Sequence, residues 1–297
     1  MIKASGNLGP AILNGLRTAQ PPFKSITVLT RTGSNTTTTY PSDITIKQVD
    51  YSSPESLISA LTGINALISA VPARSAPAQK LIIDAAVAAG VKSFVPSEFG
   101  LDSTNAALNK DFAGLWTSKV EIQTYLAELK SAGKIDYALI FTGLFLDWGL
   151  DGFLVDVYNK TVELWDGGDT VLSLTTRASI AKAVVGVLSD QSKTEEVYRI
   201  KDINLSQRRL FELAKRAVGE EEWAVACLDT ETAYERFKES LKAGRPDGSY
   251  AFLKRAISIG GHGSLWSAEE DDSQVFGLRE WTEEDVVELI RGAVARE

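Results

Sequence analysis

Short β-branched or apolar runs alternate with helical patterns through the first half of the chain, and this alternation constrains the fold more than any other feature. The strand-like runs are Ser25 to Thr30, Ile44 to Val49, Ala66 to Val71, Lys92 to Val95 and Tyr137 to Phe141. Between them the periodicity predicts helices at Pro10 to Ala19, Pro54 to Leu61, Ala78 to Ala89 and Lys119 to Ser131, with Pro10 and Pro54 suited to a first helical turn. A βαβ series of this kind predicts an α/β fold built on a doubly wound parallel sheet. After Gly143 the rhythm loosens. Val162 to Trp165 and Glu196 to Ile200 read as strands, with helices at Ala178 to Leu188, Gln207 to Val218, Glu231 to Ala243 and Glu283 to Ala295. Thr282 followed by Asp285 is a capping-box-like start for the last of these. A smaller, partly interleaved second domain is expected to cover the carboxyl face of the sheet.

Composition narrows the function. The chain has 297 residues, 44% of them apolar, enough to bury a full core. Its net charge of −8 and its scattered Lys and Arg exclude the basic stripe that a phosphate backbone requires. The single cysteine, Cys227, excludes an intrachain disulfide or a thiolate zinc cluster and fits a reducing compartment, so the expected location is cytoplasmic. No apolar run approaches a membrane span, and the first residues lack the apolar stretch of a signal peptide. The single histidine, His262, leaves little room for a Ser-His-Asp triad and none for a His-rich metal site; in Gly260-Gly261-His262-Gly263 it reads as a solvent-facing loop residue, with a substrate contact as the alternative. The run Glu269 to Asp272 reads as a solvated loop and not as a metal site, because four consecutive carboxylates diverge.

Two segments carry chemistry. Ala4-Ser5-Gly6-Asn7-Leu8-Gly9-Pro10 is like the second half of a glycine-rich dinucleotide loop, with Gly6 allowing close approach of a pyrophosphate and Gly9 close helix packing. The next strand ends at Arg31, about twenty residues past Gly9, where an NAD-binding protein carries an acid for the ribose hydroxyls. A guanidinium there pairs with a 2′-phosphate, which favours NADP(H); the plainer alternative is a snorkelling surface arginine. One departure is serious. Lys3 occupies the position of the first loop glycine, and only Met1 and Ile2 stand where a central strand of five or six residues belongs. The expectation is a truncated first strand, with the chain as written starting inside a longer reading frame. The second segment, Val95-Pro96-Ser97-Glu98-Phe99-Gly100, runs from a strand into a loop at the carboxyl end of a parallel sheet, where ligands sit. Lys119 then opens a helix. A cation at a helix amino terminus opposes the helix dipole, and that mild cost suggests a role beyond a surface lysine.

Together, Ala4 to Gly9, Arg31, Val95 to Gly100 and Lys119 before Val120-Glu121-Ile122 resemble the isoflavone reductase-like branch of the NmrA-like, atypical short-chain dehydrogenase family, over nearly the whole chain. The resemblance implies a Rossmann-type NAD(P)-binding domain over residues 1–145 and a substrate domain over 146–297 that returns segments to the first. It implies NADPH bound along Gly6, Asn7, Leu8, Gly9 and Arg31, lined further by Ser69 to Val71, Ser97 to Phe99 and Phe141, with Lys119 as the catalytic residue and no metal. The implied activity is NADPH-dependent reduction of a small, aromatic molecule, with Phe145, Trp148, Phe153 and Trp165 as candidate substrate contacts that core packing explains equally well. Oligomeric state is left open. The alternatives are a non-catalytic NADP-binding redox-sensing regulator of the NmrA type, against which Lys119 argues, and a cofactor-defective relative, which the missing first strand suggests. Two Tyr-x-x-x-Lys strings, Tyr234 with Lys238 and Tyr250 with Lys254, match the usual short-chain dehydrogenase motif but lie too far along the chain to serve it.

Overall fold

The computed structural model describes residues 1–33, 39–72, 78–190, 196–245 and 250–295. The chain divides into two compact units, and both are discontinuous in sequence. The first comprises Met1–Phe99, Gly114–Phe141 and Arg177–Tyr198; the second comprises Gly100–Ala113, Thr142–Thr176 and Arg199–Glu297.

In the first unit the strand Ile26–Arg31 pairs in parallel with Ile44–Val49 over six residues, and Ala66–Ile68 pairs in parallel with Ser93–Val95, which in turn pairs with Asp136–Tyr137. Two residues join these halves. Ile2 forms parallel bridges to Leu29 on one side and Ser69 on the other. Its N–H donates to the Ile68 carbonyl at 2.9 Å, the Leu29 N–H donates to the Met1 carbonyl at 2.9 Å, and the Ala70 N–H donates to the Ile2 carbonyl at 3.3 Å. With this stub as the first strand, the spatial order is that of a doubly wound sheet, 3-2-1-4-5-6. The first strand is therefore present as Met1 and Ile2, both buried, and it supplies the ladder bonds nearest the carboxyl edge. The Met1 ammonium donates to the Thr27 carbonyl at 2.7 Å, and burial pushes its pKa down to about 5.

The helices form where their apolar spacing and caps allow. Gly9–Thr18 buries Ile12, Leu13 and Leu16 on one face, each worth roughly 1.5–3 kcal/mol of apolar transfer. Gly15 lies on that helix where a Cβ would come within 3.2 Å of the Ala181 Cβ, so its lack of a side chain lets the helix Arg177–Ser189 pack close. Pro54–Leu61 starts with Pro54 after Ser53, whose hydroxyl accepts the Ser56 N–H at 3.1 Å. The expected strand Tyr137 to Phe141 breaks at Ala138 into Asp136–Tyr137 and Leu139–Phe141.

The second unit is mixed. Val171–Thr175 pairs antiparallel with Ile203–Ser206 and parallel with Leu144–Phe145, and Ala224–Leu228 pairs in parallel with Thr161–Trp165. The sequence reading misses four of these five strands, because runs of two to five residues without clear alternation fall below what periodicity resolves. The last helix, Glu283–Val294, carries a full capping box between Thr282 and Asp285, as its sequence predicts. Two loop expectations are corrected. His262 is buried: its Nε2 lies 3.0 Å from Asp111 Oδ2 and its ring meets Phe112 edge-on at 5.6 Å. Gly263, at φ 70°, draws that loop inward, since its carbonyl accepts the Asp102 N–H at 2.7 Å and a Cβ there would strike the Asp102 backbone. Within Glu269 to Asp272, Asp271 pairs with the buried Lys201 at 3.3 Å and Asp272 accepts the Arg199 N–H at 2.8 Å, so half of that run is structural. Among the described residues no helix is long and apolar enough to cross a membrane, and no group of His, Cys, Asp and Glu could hold a metal ion.

Candidate active site

Because the strands of the first unit run parallel, four separate segments emerge at the same carboxyl edge: Lys3 to Gly9 after Ile2, Arg31 at the end of its strand, Ser69 to Val71 after Ala66–Ile68, and Pro96 to Phe99 after Ser93–Val95. The chain's strand order reverses between the stub and Ala66–Ile68, the position at which doubly wound sheets bind ligands.

The glycine loop is built by close backbone approach. A Cβ on Gly9 would fall 2.4 Å from the Ala4 carbonyl oxygen and 2.5 Å from that of Lys3, so only glycine lets the helix start against the loop. Leu8, the residue before that helix, makes no side-chain cap, which leaves first-turn N–H groups available to an anion. Asn7 is held from a distant segment: its Oδ1 accepts from Arg177 Nη1 at 2.8 Å. Gly6 donates its N–H to the Lys3 carbonyl at 3.2 Å, and the Lys3 side chain lies over it, with Cγ 3.3 Å from where a Gly6 Cβ would stand. Lys3 itself sits at φ 61°, the left-handed conformation that the expected glycine would adopt without cost.

The remaining residues anticipated from the sequence fall into two groups. Val71 and Ser97 are brought together, with the Ser97 hydroxyl donating to the Val71 carbonyl at 2.6 Å and the Ser97 N–H donating to the buried Gln79 Oε1 at 3.0 Å. Phe99, at φ 30°, donates its N–H to the Ile140 carbonyl at 3.0 Å. Ser69 and Phe141 are fully buried, and among the described residues the Ser69 hydroxyl has no hydrogen-bond partner. Arg31 is exposed at its strand end. Near it is Tyr51, which sequence reasoning passes over: its hydroxyl donates to the Leu29 carbonyl at 3.0 Å, and burial pushes its pKa up to about 12 against the opposing effect of the Arg31 charge.

Lys119 stands in the first turn of the helix Thr117–Ser131, with its side chain 11% exposed. Its Nζ donates to the Glu98 carbonyl at 2.7 Å and lies 3.3 Å from Glu98 Oε2, while Gln123 Nε2 donates to Glu98 Oε1 at 3.1 Å. The Glu98 carboxylate is 1% exposed. It explains how a cation is tolerated at a helix amino terminus, since the carboxylate offsets the opposing dipole. The sequence signal for Glu98 is its place as the one acid in the strand-to-loop motif Val95 to Gly100. The two Tyr-x-x-x-Lys strings serve other ends in the second unit. Lys238 lies 4.9 Å over the Tyr234 ring and pairs with Glu235 at 2.5 Å, and Lys254 pairs with Glu163 at 2.7 Å. Also in the second unit, Trp148 stacks on Phe153 at 4.9 Å and Phe153 meets Trp165 at 5.1 Å, with Trp165 part of the core.

Residues 1–221 match the model of the NmrA-like family. The chain belongs to that family. It is 31% identical over 265 residues to oxidoreductase aprR of Aspergillus flavus, covering 89% of this chain and 88% of that protein. It is 29% identical over 184 residues to the isoflavone reductase homolog IRL of Zea mays, covering 59% of this chain and 58% of that one. Among solved structures it is similar to the NADPH-dependent quinone oxidoreductase QOR2 of Escherichia coli complexed with NADPH, with a TM-score of 0.69, 23% identity and 97% of each chain covered.

Proposed function

We propose that this protein is an NADPH-dependent reductase of a small molecule and that Lys119 handles the proton that accompanies reduction. The observation that carries this reading is Lys119 itself, an ammonium held by Glu98 at the carboxyl edge of the sheet. Family membership and the oxidoreductase relatives support it. The glycine loop fits a dinucleotide: Gly6 and Gly9 form cradles that side chains would fill, and the helix behind them begins uncapped. Gly6, Asn7, Leu8 and Gly9 would hold the pyrophosphate through backbone N–H groups, and Arg31 the 2′-phosphate. Ser69, Val71, Ser97, Phe99 and Phe141 would shape the wall beyond them. When bound, NADPH supplies a hydride.

Lys119 presents N–H donors to a substrate oxygen, orients it, and gives up a proton as charge develops there. Catalytic lysine and cofactor residues all fall within residues 1–145, the part assigned here to the cofactor, with 146–297 assigned to the substrate. An aromatic substrate and a cytoplasmic location are the finer parts of the proposal. A second reading, a relative with an impaired cofactor loop, is favoured by one observation: the Lys3 side chain covers Gly6.

Titration with NADPH, NADP⁺, NADH and NAD⁺, followed by NADPH oxidation with 1,4-benzoquinone as a simple hydride acceptor, tests all of these. A reductase binds NADPH tightly and turns it over, and Lys119→Ala lowers turnover about a hundredfold with cofactor affinity kept. A redox-sensing regulator favours NADP⁺ and gives no turnover. An impaired relative binds none of the four.

A further inference from the structure

We propose that Glu98 is the positioning residue for Lys119, holding its ammonium at the carboxyl edge through both the backbone and the side chain of a single residue. The inference rests on the reading of Lys119 as the proton-handling group. Three observations converge on it.

The first is burial. A buried side chain that is 1% exposed and carries a carboxylate is costly unless paired and hydrogen-bonded, and one helix face supplies a partner to each oxygen: Lys119 at 3.3 Å from Oε2 and Gln123 at 3.1 Å from Oε1. Lys119 and Gln123 are four residues apart, so one turn of the helix grips both oxygens and stops the carboxylate from rotating away. The second is geometry at the lysine. A lysine ammonium has three donors. Glu98 engages it twice, through its carbonyl at 2.7 Å and through Oε2, which fixes the direction of Nζ while keeping donor capacity for a ligand. The third is the backbone that aims Glu98. Its N–H donates to the Pro96 carbonyl at 2.9 Å in a tight turn, and the next residue, Phe99, is held at φ 30° by its own bond to Ile140. Non-glycine residues keep such conformations only where surrounding contacts impose them, and here the imposed turn directs the Glu98 carbonyl at Lys119.

The test combines a chemical readout with kinetics in the full-length protein. Lysine acetylation by sulfo-N-hydroxysuccinimide acetate, followed residue by residue by mass spectrometry, should show Lys119 protected in the parent protein. In Glu98→Gln its rate should rise several-fold while Lys80 and Lys130 keep theirs, and Glu98→Asp should restore part of the protection. With NADPH and 1,4-benzoquinone, Glu98→Gln should lower kcat about tenfold with the NADPH KM unchanged, since misplacing a reacting group affects the chemical step and not cofactor binding. Glu98→Asp should recover part of the loss. If Glu98→Gln does not fold, Gln123→Met, which frees one carboxylate oxygen but keeps the charge, should give the same selective change in smaller measure. An unchanged Lys119 rate in a folded variant overturns the proposal. So does a uniform rise at all lysines, which marks Glu98 as a general packing residue, or an unchanged kcat where the parent protein is active. Absence of turnover in the parent protein overturns the reductase reading alone, and the acetylation pattern still decides the role of Glu98.

Discussion

A side chain on Gly9 would place its Cβ 2.4 Å from the carbonyl oxygen of Ala4, closer than any tolerated contact and against backbone that cannot rotate aside. The first turn of the helix and the glycine loop are therefore a single packed object. Gly9→Ala should destabilise the protein by about 3 kcal/mol, near the upper end for overpacking, and weaken NADPH further by moving the N–H groups of the loop. Urea unfolding and a cofactor titration measure the two effects. Wild-type stability in the variant would mean that the loop yields freely and that this contact does not define it.

Lys3 tests the opposite case, a residue with a side chain where glycine belongs. At φ 61°, Lys3→Gly should stabilise the chain by about 0.5–1 kcal/mol, the left-handed penalty less the added entropy of an unfolded glycine. Lys3→Ala keeps the backbone penalty and should gain nothing. Both should bind NADPH more tightly if the lysine stem obstructs Gly6. A stability gain in Lys3→Ala equal to that in Lys3→Gly would place the cost in the side chain and not in the backbone.

Arg31 ends the strand next to the stub, on the edge shared with the glycine loop. Arg31→Glu should weaken NADPH much more than NADH, since a charge-assisted pair with the 2′-phosphate becomes a repulsion. Isothermal titration with the two cofactors reads the difference. Equal losses would remove Arg31 from the 2′-phosphate site.

The Met1 amine makes a pH prediction for protein produced with that group free. Its ordinary pKa of 8.0 falls to about 5 in the fold because burial penalises the charged form. Above pH 8 both folded and unfolded chains are neutral there, and stability is at its fullest. Between pH 8 and pH 5 the unfolded chain takes up a proton that the folded chain does not, so stability declines as pH falls, by on the order of a few kcal/mol, and the loss is complete below about pH 5. Adding about five apolar, β-branched residues before Met1 should abolish this dependence and raise the melting temperature by extending the central strand. Denaturation across that range, with and without the extension, checks both statements; parallel pH curves would show that the amine is not the source.

What could be read in advance was what depends on neighbours along the chain. The alternation of Ile44 to Val49 and Ala66 to Val71 with the helices between them, the glycine at position 9, the first-turn lysine at 119 and the Thr282–Asp285 capping box are local patterns, each set by φ/ψ preference, periodicity or reach over three or four residues, although the second strand itself ends at Ile68. A parallel α/β sheet and the segments at its carboxyl edge follow from these local patterns. Tertiary structure alone decided which of those segments meet. Glu98 finds Lys119 across 21 residues, Arg177 finds Asn7 across 170, and His262 finds Asp111 across 151. It also decided that Ile2, two residues from the start, stands between Leu29 and Ser69 at the centre of the sheet. Strand order, the burial of charge and the need to satisfy buried backbone groups are properties of the assembled layers, and no window of neighbouring residues contains them.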